Sequence, residues 1–391
     1  MTEVDIVIVG GGPSGLSTAL HLQAARPATK LVVLEAEAYP REKICAGGLG
    51  ARGLHILERL GVTVECPMVP LDAIALRVGG KTIVTRDPGL GVVVRRVEFD
   101  HALANATIAK GIDVRDGTPV ARIEVGEDHV LVETKAGETF RAKAVIGADG
   151  VGGIVRRAIG LGRGELRAQV VELDTEDLPS DLPRDTVVFD FTATDMHGYA
   201  WDFPTQVGGA PKVCRGVYVL HHKGPDSPKL RIDRYLASRG LELSRYRLKQ
   251  FAERGFEPGA SISRPRVMLV GEAAGIDIAT GEGIAQAIEY GMLAGPYIAR
   301  ALDRERLSFD DWREHIDGRH LGKQMKIRHL CYRAFYGHRR PTVERVLTQV
   351  PSLFKVGVQD FAGHPLSKLA IARGAGQFLA AMVREGLRSP E

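Results

Sequence analysis

Gly10, Gly12 and Gly15, followed by Glu35, have the residue types and spacing that most directly imply chemistry. An apolar run over residues 4–9 ends on Gly10-Gly11-Gly12-Pro13-Ser14-Gly15, an alanine- and leucine-rich stretch follows, and a second apolar run over 31–34 ends on Glu35. Gly10 allows a sharp turn off a strand. Gly12, without a side chain, lets a pyrophosphate approach the backbone. Gly15 lets a helix pack against the strand. The helix N-terminus offers free N–H groups and partial positive charge to phosphates. Glu35 is placed to accept hydrogen bonds from a ribose hydroxyl pair. Strand, glycine turn, helix, strand and acid together predict a dinucleotide site.

Three further segments narrow the dinucleotide to a flavin. Arg96-Val97-Glu98-Phe99-Asp100 opens a helix, and Arg96 can pair with a pyrophosphate or ribose oxygen. An apolar run over 144–148 ends on Asp149-Gly150, with Arg156 and Arg157 in the helix beyond. A third run, 267–270, ends on Gly271-Glu272, with Thr280-Gly281-Glu282-Gly283-Ile284 just after. The acid at 272 can hold a ribityl hydroxyl, and Gly281 and Gly283 open a helix whose N–H groups can face the flavin pyrimidine carbonyls. That placement stabilises negative charge on a reduced flavin.

In this order the segments resemble the group of FAD enzymes that includes para-hydroxybenzoate hydroxylase, flavin halogenases and geranylgeranyl reductases, over most of residues 1–310. Glu272 stands where most of the group has aspartate, and Ile278-Ala279 where a proline is usual. Two segments point to the geranylgeranyl reductase branch. Pro40-Arg41-Glu42-Lys43-Ile44-Cys45-Ala46-Gly47-Gly48-Leu49 resembles its cysteine-glycine segment beside the flavin, with Ala46 in place of a common glycine. Gly198-Tyr199-Ala200-Trp201-Asp202-Phe203-Pro204 matches its Tyr-x-Trp-x-Phe-Pro pattern. In a strand Tyr199, Trp201 and Phe203 share one face and would bind an isoprenoid chain or the flavin edge. Pro204 is expected to end that strand.

The resemblance implies FAD contacts at Gly10, Gly12, Pro13, Ser14, Gly15, Glu35, Ala36, Arg41, Lys43, Cys45, Ala46, Gly47, Arg96, Val120, Asp149, Gly150, Gly271, Glu272, Gly281, Gly283 and Ile284. Arg41 and Lys43 would meet phosphate or ribose oxygens. It implies an external reductant (NAD(P)H, ferredoxin or a flavin reductase) and reduction of carbon–carbon double bonds in a hydrophobic or lipid substrate by hydride from flavin N5. Cys45 and Tyr199 are the candidate catalytic residues, for proton relay, proton donation or flavin positioning; an inert buried cysteine is the other reading of Cys45. A monooxygenase or halogenase on the same fold, and an electron carrier served by a partner protein, are the competing readings. His197, His221 and His222 are assigned no role, and no metal site is expected.

These residues require an α/β architecture: a Rossmann-like FAD-binding domain split in sequence (1–72, 96–160 and 261–310), an inserted mixed β-rich substrate domain (73–95 and 161–260) and a C-terminal helical region (311–391). Residues 72–95 read as a hairpin about Gly79-Gly80, and 139–142 and 144–148 as two strands. At 391 residues, with 44% hydrophobic and 26% charged residues, the chain has the composition of an ordinary globular protein of two or three domains. Four cysteines at 45, 66, 214 and 331 form no CxxC pair or metal spacing, which predicts a reducing, cytoplasmic compartment. The chain starts on its first strand, leaving no room for a signal peptide, and no apolar run is long enough to span a membrane.

The net charge of +4 is uneven: residues 319–391 hold 13 Lys or Arg against 4 Asp or Glu. With Leu369, Ala372, Phe378 and Met382 at helical spacing, this is either a basic surface meeting anionic lipid or a solvated helix face on the body. No nucleic-acid motif accompanies the charge, so nucleic acid is not an expected partner.

Overall fold

The computed structural model describes residues 1–162, 164–193, 195–220, 227–337, 340–364 and 368–387. His221 and His222, and the side chain of Met382, lie outside that description.

The first sheet grows from β1 (Thr2–Val9), whose residues 6–9 are buried as expected of a strand covered on both faces. Pro13 occupies the first turn of α1 (Pro13–Ala25), a position with no intrahelical N–H bond to lose. β2 (Leu31–Leu34) pairs in parallel with β1. The chain then gives β3 (Gly48–Gly50), α2 (Ala51–Glu58), β4 (Met68–Val78), β5 (Lys81–Val94), α3 (Arg96–Ala109), β6 (Asp113–Arg115), β7 (Val120–Val125), β8 (Val130–Thr134), β9 (Thr139–Gly147) and α4 (Ile154–Ala158). β9 is one strand where two were expected: Lys143 is exposed on its outward face, so the strand passes through it.

The β-rich segment holds β10 (Arg167–Thr175), β11 (Thr186–Asp190), β12 (Gly198–Val207), β13 (Ala210–Leu220), α5 (Pro228–Ala237) and β14 (Lys249–Arg254). β15 (Ser263–Arg264), β16 (Val267–Leu269) and α6 (Ile284–Asp303) return the chain to the first sheet. It closes with α7 (Trp312–Asp317), α8 (His320–Phe335), α9 (Arg340–Gln349), α10 (Pro351–Ala362) and α11 (Lys368–Leu387).

The strand order is β15-β16-β9-β1-β2-β6 in the first sheet, with the β7–β8 hairpin attached through β9. The second is β14-β10-β13-β12-β11-β4-β5-β3. The β4–β5 hairpin turns at Gly79-Gly80 and belongs to this second sheet, which also takes in β3 and begins β4 at Met68, upstream of the expected boundary at 73.

Pro204 does not end its strand. β12 runs on to Val207, pairing Pro204 with Val213 on β13. On the other side β12 meets β11 only through residues 200–202, so a residue without an N–H costs no ladder bond there.

Helix α6 crosses α1 closely. A Cβ on Gly295 would come within 2.5 Å of His21, and Ser17 Oγ donates to the Ile288 carbonyl at 2.7 Å. This crossing fixes the start of α6 beside the Gly10–Gly15 turn. No helix among the described residues is long and apolar enough to cross a membrane.

Candidate functional site

The glycine turn is built by close backbone approaches. Gly10 has φ +108°, and a side chain there would overlap the Ala148 carbonyl. A Cβ on Gly15 would overlap the Gly10 carbonyl oxygen. At Gly12 the situation reverses: a Cβ would find nothing nearer than the Arg41 and Arg96 guanidiniums, each at 3.8 Å. Gly12 is also the N-cap of α1 and supplies no capping side chain, so the first N–H groups of the helix stay open.

Glu35 ends β2 and accepts the Gly11 N–H at 2.8 Å on Oε2. Arg41 reaches Glu35 at 3.1 Å and Asp100 at 3.2 Å, and Arg96 grips both oxygens of Asp100 at 2.6 and 2.7 Å. Asp100 is fully buried, so two guanidiniums are fixed at the mouth of the turn by one carboxylate. Lys43, expected on phosphate or ribose, instead lies 3.0 Å from the centre of the Phe251 ring and 3.5 Å from Glu272 Oε2. Burial lowers its pKa despite the Glu272 charge.

A cavity of about 790 Å³ runs from this turn into the second sheet. Its lining brings together every expected site residue except Gly15 and Gly271. Gly15 packs on the Gly10 carbonyl instead, and a side chain on Gly271 would meet Ser14 at 2.5 Å.

Asp149 accepts the Val155 N–H at 2.9 Å near the start of α4, and burial raises its pKa to about 6. Its Oδ1, Glu272 Oε1 and Arg41 Nε are buried without a partner. Three unpartnered polar atoms around an open glycine face and a free helix N-terminus fit a ligand carrying phosphates and several hydroxyls, which is the donor set of FAD.

The far chamber is apolar. Tyr199, Trp201 and Phe203 face it from β12 as strand alternation requires, joined by Phe189, Tyr218 and Phe251. Tyr199 stacks on Tyr218 with ring centres 5.2 Å apart, and its hydroxyl donates to the Thr280 carbonyl. The edge of Phe203 lies 2.9 Å from where a Cβ of Gly48 would sit.

Cys45 lines the same cavity. Its Sγ accepts the Gly47 N–H at 3.4 Å, and its own N–H donates to Glu172 Oε1 at 3.1 Å. Burial pushes the thiol up, with Arg96 pulling down and Glu172 pushing further up.

The residues missed from sequence are acids and one cap element. Asp100, Glu172 and Glu253 are buried, and Glu253 and Phe361 of α10 line the cavity. Phe251 and Glu253 alternate on one face of β14, a period-2 signal readable once that strand is known.

The FAD binding domain family matches residues 3–205. The chain belongs to that family. It is an FAD-dependent oxidoreductase, and it is similar in sequence to geranylgeranyl-type reductases. It is 28% identical to digeranylgeranylglycerophospholipid reductase 3 of Methanosphaera stadtmanae over 352 residues, covering 83% of this chain and 85% of that protein. Its fold matches a geranylgeranyl bacteriochlorophyll reductase-like protein of Thermoplasma acidophilum with a TM-score of 0.78 and 21% identity over 98% of both chains. It also matches a flavin-dependent brominase with a TM-score of 0.66 and 16% identity, over 99% of this chain and all of the other.

Proposed function

We propose that this protein reduces carbon–carbon double bonds in an isoprenoid or similarly hydrophobic chain. The observation that carries the reading is the continuity of the cofactor cradle with the Tyr199–Trp201–Phe203 wall in one cavity, which Cys45 also lines. The names of the similar proteins support it.

Bound, reduced FAD would supply hydride chemistry for one alkene carbon. Gly10, Gly12, Pro13, Ser14, Glu35, Arg41 and Arg96 would hold the ADP half through backbone N–H groups and charge. Ala36 and Val120 would border that half, and Gly15 and Gly271 fix the protein backbone of the turn by packing. Asp149, Gly150 and Glu272 would hold the ribityl chain, with Lys43 fixing Glu272. Ala46, Gly47, Gly281, Gly283 and Ile284 would allow close approach at the ring. Trp201 and Phe203 align the substrate and exclude water, so the alkene meets the reductant in one orientation. Cys45 positions the loop against the ring. Tyr199, whose proton goes to Thr280, shapes the chamber.

The exposed apolar side chains Ile327 and Leu330 on α8, and Leu369, Leu379 and Val383 on α11, support contact between this basic region and an anionic lipid surface. A membrane-lipid substrate would be met there.

The test is anaerobic. The protein with reduced FAD is mixed with a geranylgeranyl lipid, and mass spectrometry follows the addition of hydrogen pairs. Saturation supports the reading. Product formed only when oxygen is admitted would replace it with a monooxygenase or halogenase, the second reading that the brominase likeness favours.

A further inference from the structure

Alkene reduction needs a proton at the carbon that does not receive the hydride. Tyr199 gives its hydroxyl proton to the Thr280 carbonyl, and Cys45 is turned toward the Gly47 N–H. A third group faces the same space. We propose that Glu253, held by Tyr218, is the general acid that protonates the alkene; this assignment rests on the reductase reading above.

Glu253 projects from β14 beside Phe251 and is buried, yet it lines the cavity together with Tyr199, Tyr218 and Thr280. A Cβ on Gly281 would lie 3.3 and 3.5 Å from its two carboxyl oxygens. Gly281, at φ +69°, has no side chain to screen the acid from the space at the start of α6. The charged groups facing it are Glu272, Asp277 and Lys43. Burial, then Glu272 and Asp277, raise its pKa well above the usual carboxylate range, and Tyr218 and Lys43 only partly oppose them. Lys43 is engaged by Glu272 and the Phe251 ring. Burial against the apolar chamber therefore favours the neutral carboxylic acid, the form that can donate.

Tyr218 supports both protonation states. Its hydroxyl is 3.1 Å from Glu253 Oε1 and 3.3 Å from the Ile278 carbonyl. While Glu253 is protonated, Tyr218 can accept from the acid and donate to Ile278. Once the proton is gone, Tyr218 can donate to the carboxylate, so no buried charge is left without a hydrogen bond.

The step balances. The alkene π pair forms a C–H bond with the Glu253 proton, and a hydride from the bound, reduced FAD forms the second C–H bond. Glu253 is left as a carboxylate and FAD is left oxidised. The external reductant restores two electrons, and solvent returns the proton to Glu253.

Two readouts test this. The infrared difference spectrum, wild type minus Glu253→Gln at neutral pH, should carry a protonated-carboxyl band; its absence overturns the assignment without any turnover. The second readout is anaerobic turnover of a geranylgeranyl lipid. Glu253→Gln should lose about 100-fold or more in kcat and lose the alkaline limb of the pH profile, while bound-flavin absorbance stays normal. Equal rates in wild type and Glu253→Gln overturn the assignment and leave the reductase reading standing. If Glu253→Gln fails to hold FAD, Tyr218→Phe is measured instead. Loss of its hydrogen bond should move the alkaline limb to higher pH, and an unmoved limb overturns the assignment. Wild type that saturates no alkene overturns the reductase reading and this assignment with it.

Discussion

Glu172 Oε1, in the middle of β10, accepts the backbone N–H of Cys45 at 3.1 Å across 127 residues of sequence. The second sheet thereby holds the cysteine loop of the first. Glu172 is buried, its Oε2 has no partner, and burial raises its pKa to about 7, with Lys249 and Asp174 pulling in opposite directions. An ionised Glu172 pushes the nearby thiol further up.

Glu172→Gln keeps an oxygen for the Cys45 N–H and removes the charge. Alkylation of Cys45, read peptide by peptide by mass spectrometry above pH 7, should be faster in the variant because its thiol ionises more readily. An unchanged rate would separate the Glu172 charge from the cysteine. The raised carboxyl also has a stability consequence. Its native pKa, about 7, exceeds the ordinary value of 4.5, so its contribution is fully present below pH 4.5 and lost as pH rises through 7. The variant should flatten wild-type Tm over that window.

The turn offers a cleaner separation of folding from binding. Gly12→Ala places a methyl in open space between two guanidiniums, so Tm without FAD should stay near wild type. FAD affinity should fall about tenfold or more, equivalent to about 1.4 kcal/mol, because the methyl occupies the pyrophosphate approach. Gly15→Ala should unfold the first sheet instead, since its Cβ overlaps the Gly10 carbonyl. Calorimetry of the FAD-free proteins with flavin titration distinguishes the two. A Gly12→Ala protein that binds FAD normally would remove the cradle from its assigned place.

What could be read from sequence follows contact range. Gly10, Gly12 and Gly15 act within one turn, so their spacing revealed them; Tyr199, Trp201 and Phe203 alternate within one strand, and the match to a family pattern over that strand singled them out. Asp100, Glu172 and Glu253 are single acids whose meaning comes from partners on other elements. Glu253 matters because only β10 and β13 separate β14 from the β12 wall, a relation that its local segment does not encode. Pro204 misled because a proline is read from the strand it sits in, whereas its tolerance depends on which neighbour is missing. The basic tail is not only a surface: Phe361 lines the cavity, and Arg340 is buried against Glu344 at 2.7 Å.

Tyr199→Phe tests whether that tyrosine shapes the chamber or supplies the proton. It leaves the Thr280 carbonyl without its donor, which should cost about 1–3 kcal/mol of stability. The 277–283 loop should loosen, raising KM more than it lowers kcat. A kcat loss as deep as that of Glu253→Gln would move the proton donor to Tyr199.

The C-terminal helices are clasped to the site through Arg328 of α8. It meets Asp277 at 2.7 Å, Glu282 at 2.5 Å and Asp360 at 3.1 Å, and Asp277 and Glu282 are both buried. Removing one partner of a buried ion pair costs about 3–5 kcal/mol because the others keep their desolvated charge. Arg328→Gln should therefore lower Tm strongly near pH 7. His320 adds a weaker effect that depends on pH. Asp360 and then Glu289 raise its pKa to about 9 against burial. The proton is held more tightly in the native state than at the ordinary 6.5, so the contribution is fully present below pH 6.5 and lost as pH rises through 9. Its side chain is half exposed, and solvent screening keeps the effect small. His320→Gln should flatten the fall in Tm between pH 6.5 and 9, while Arg328→Gln displaces the whole curve downward. Equal curves for Arg328→Gln and wild type would mean that the helices are held by apolar packing alone.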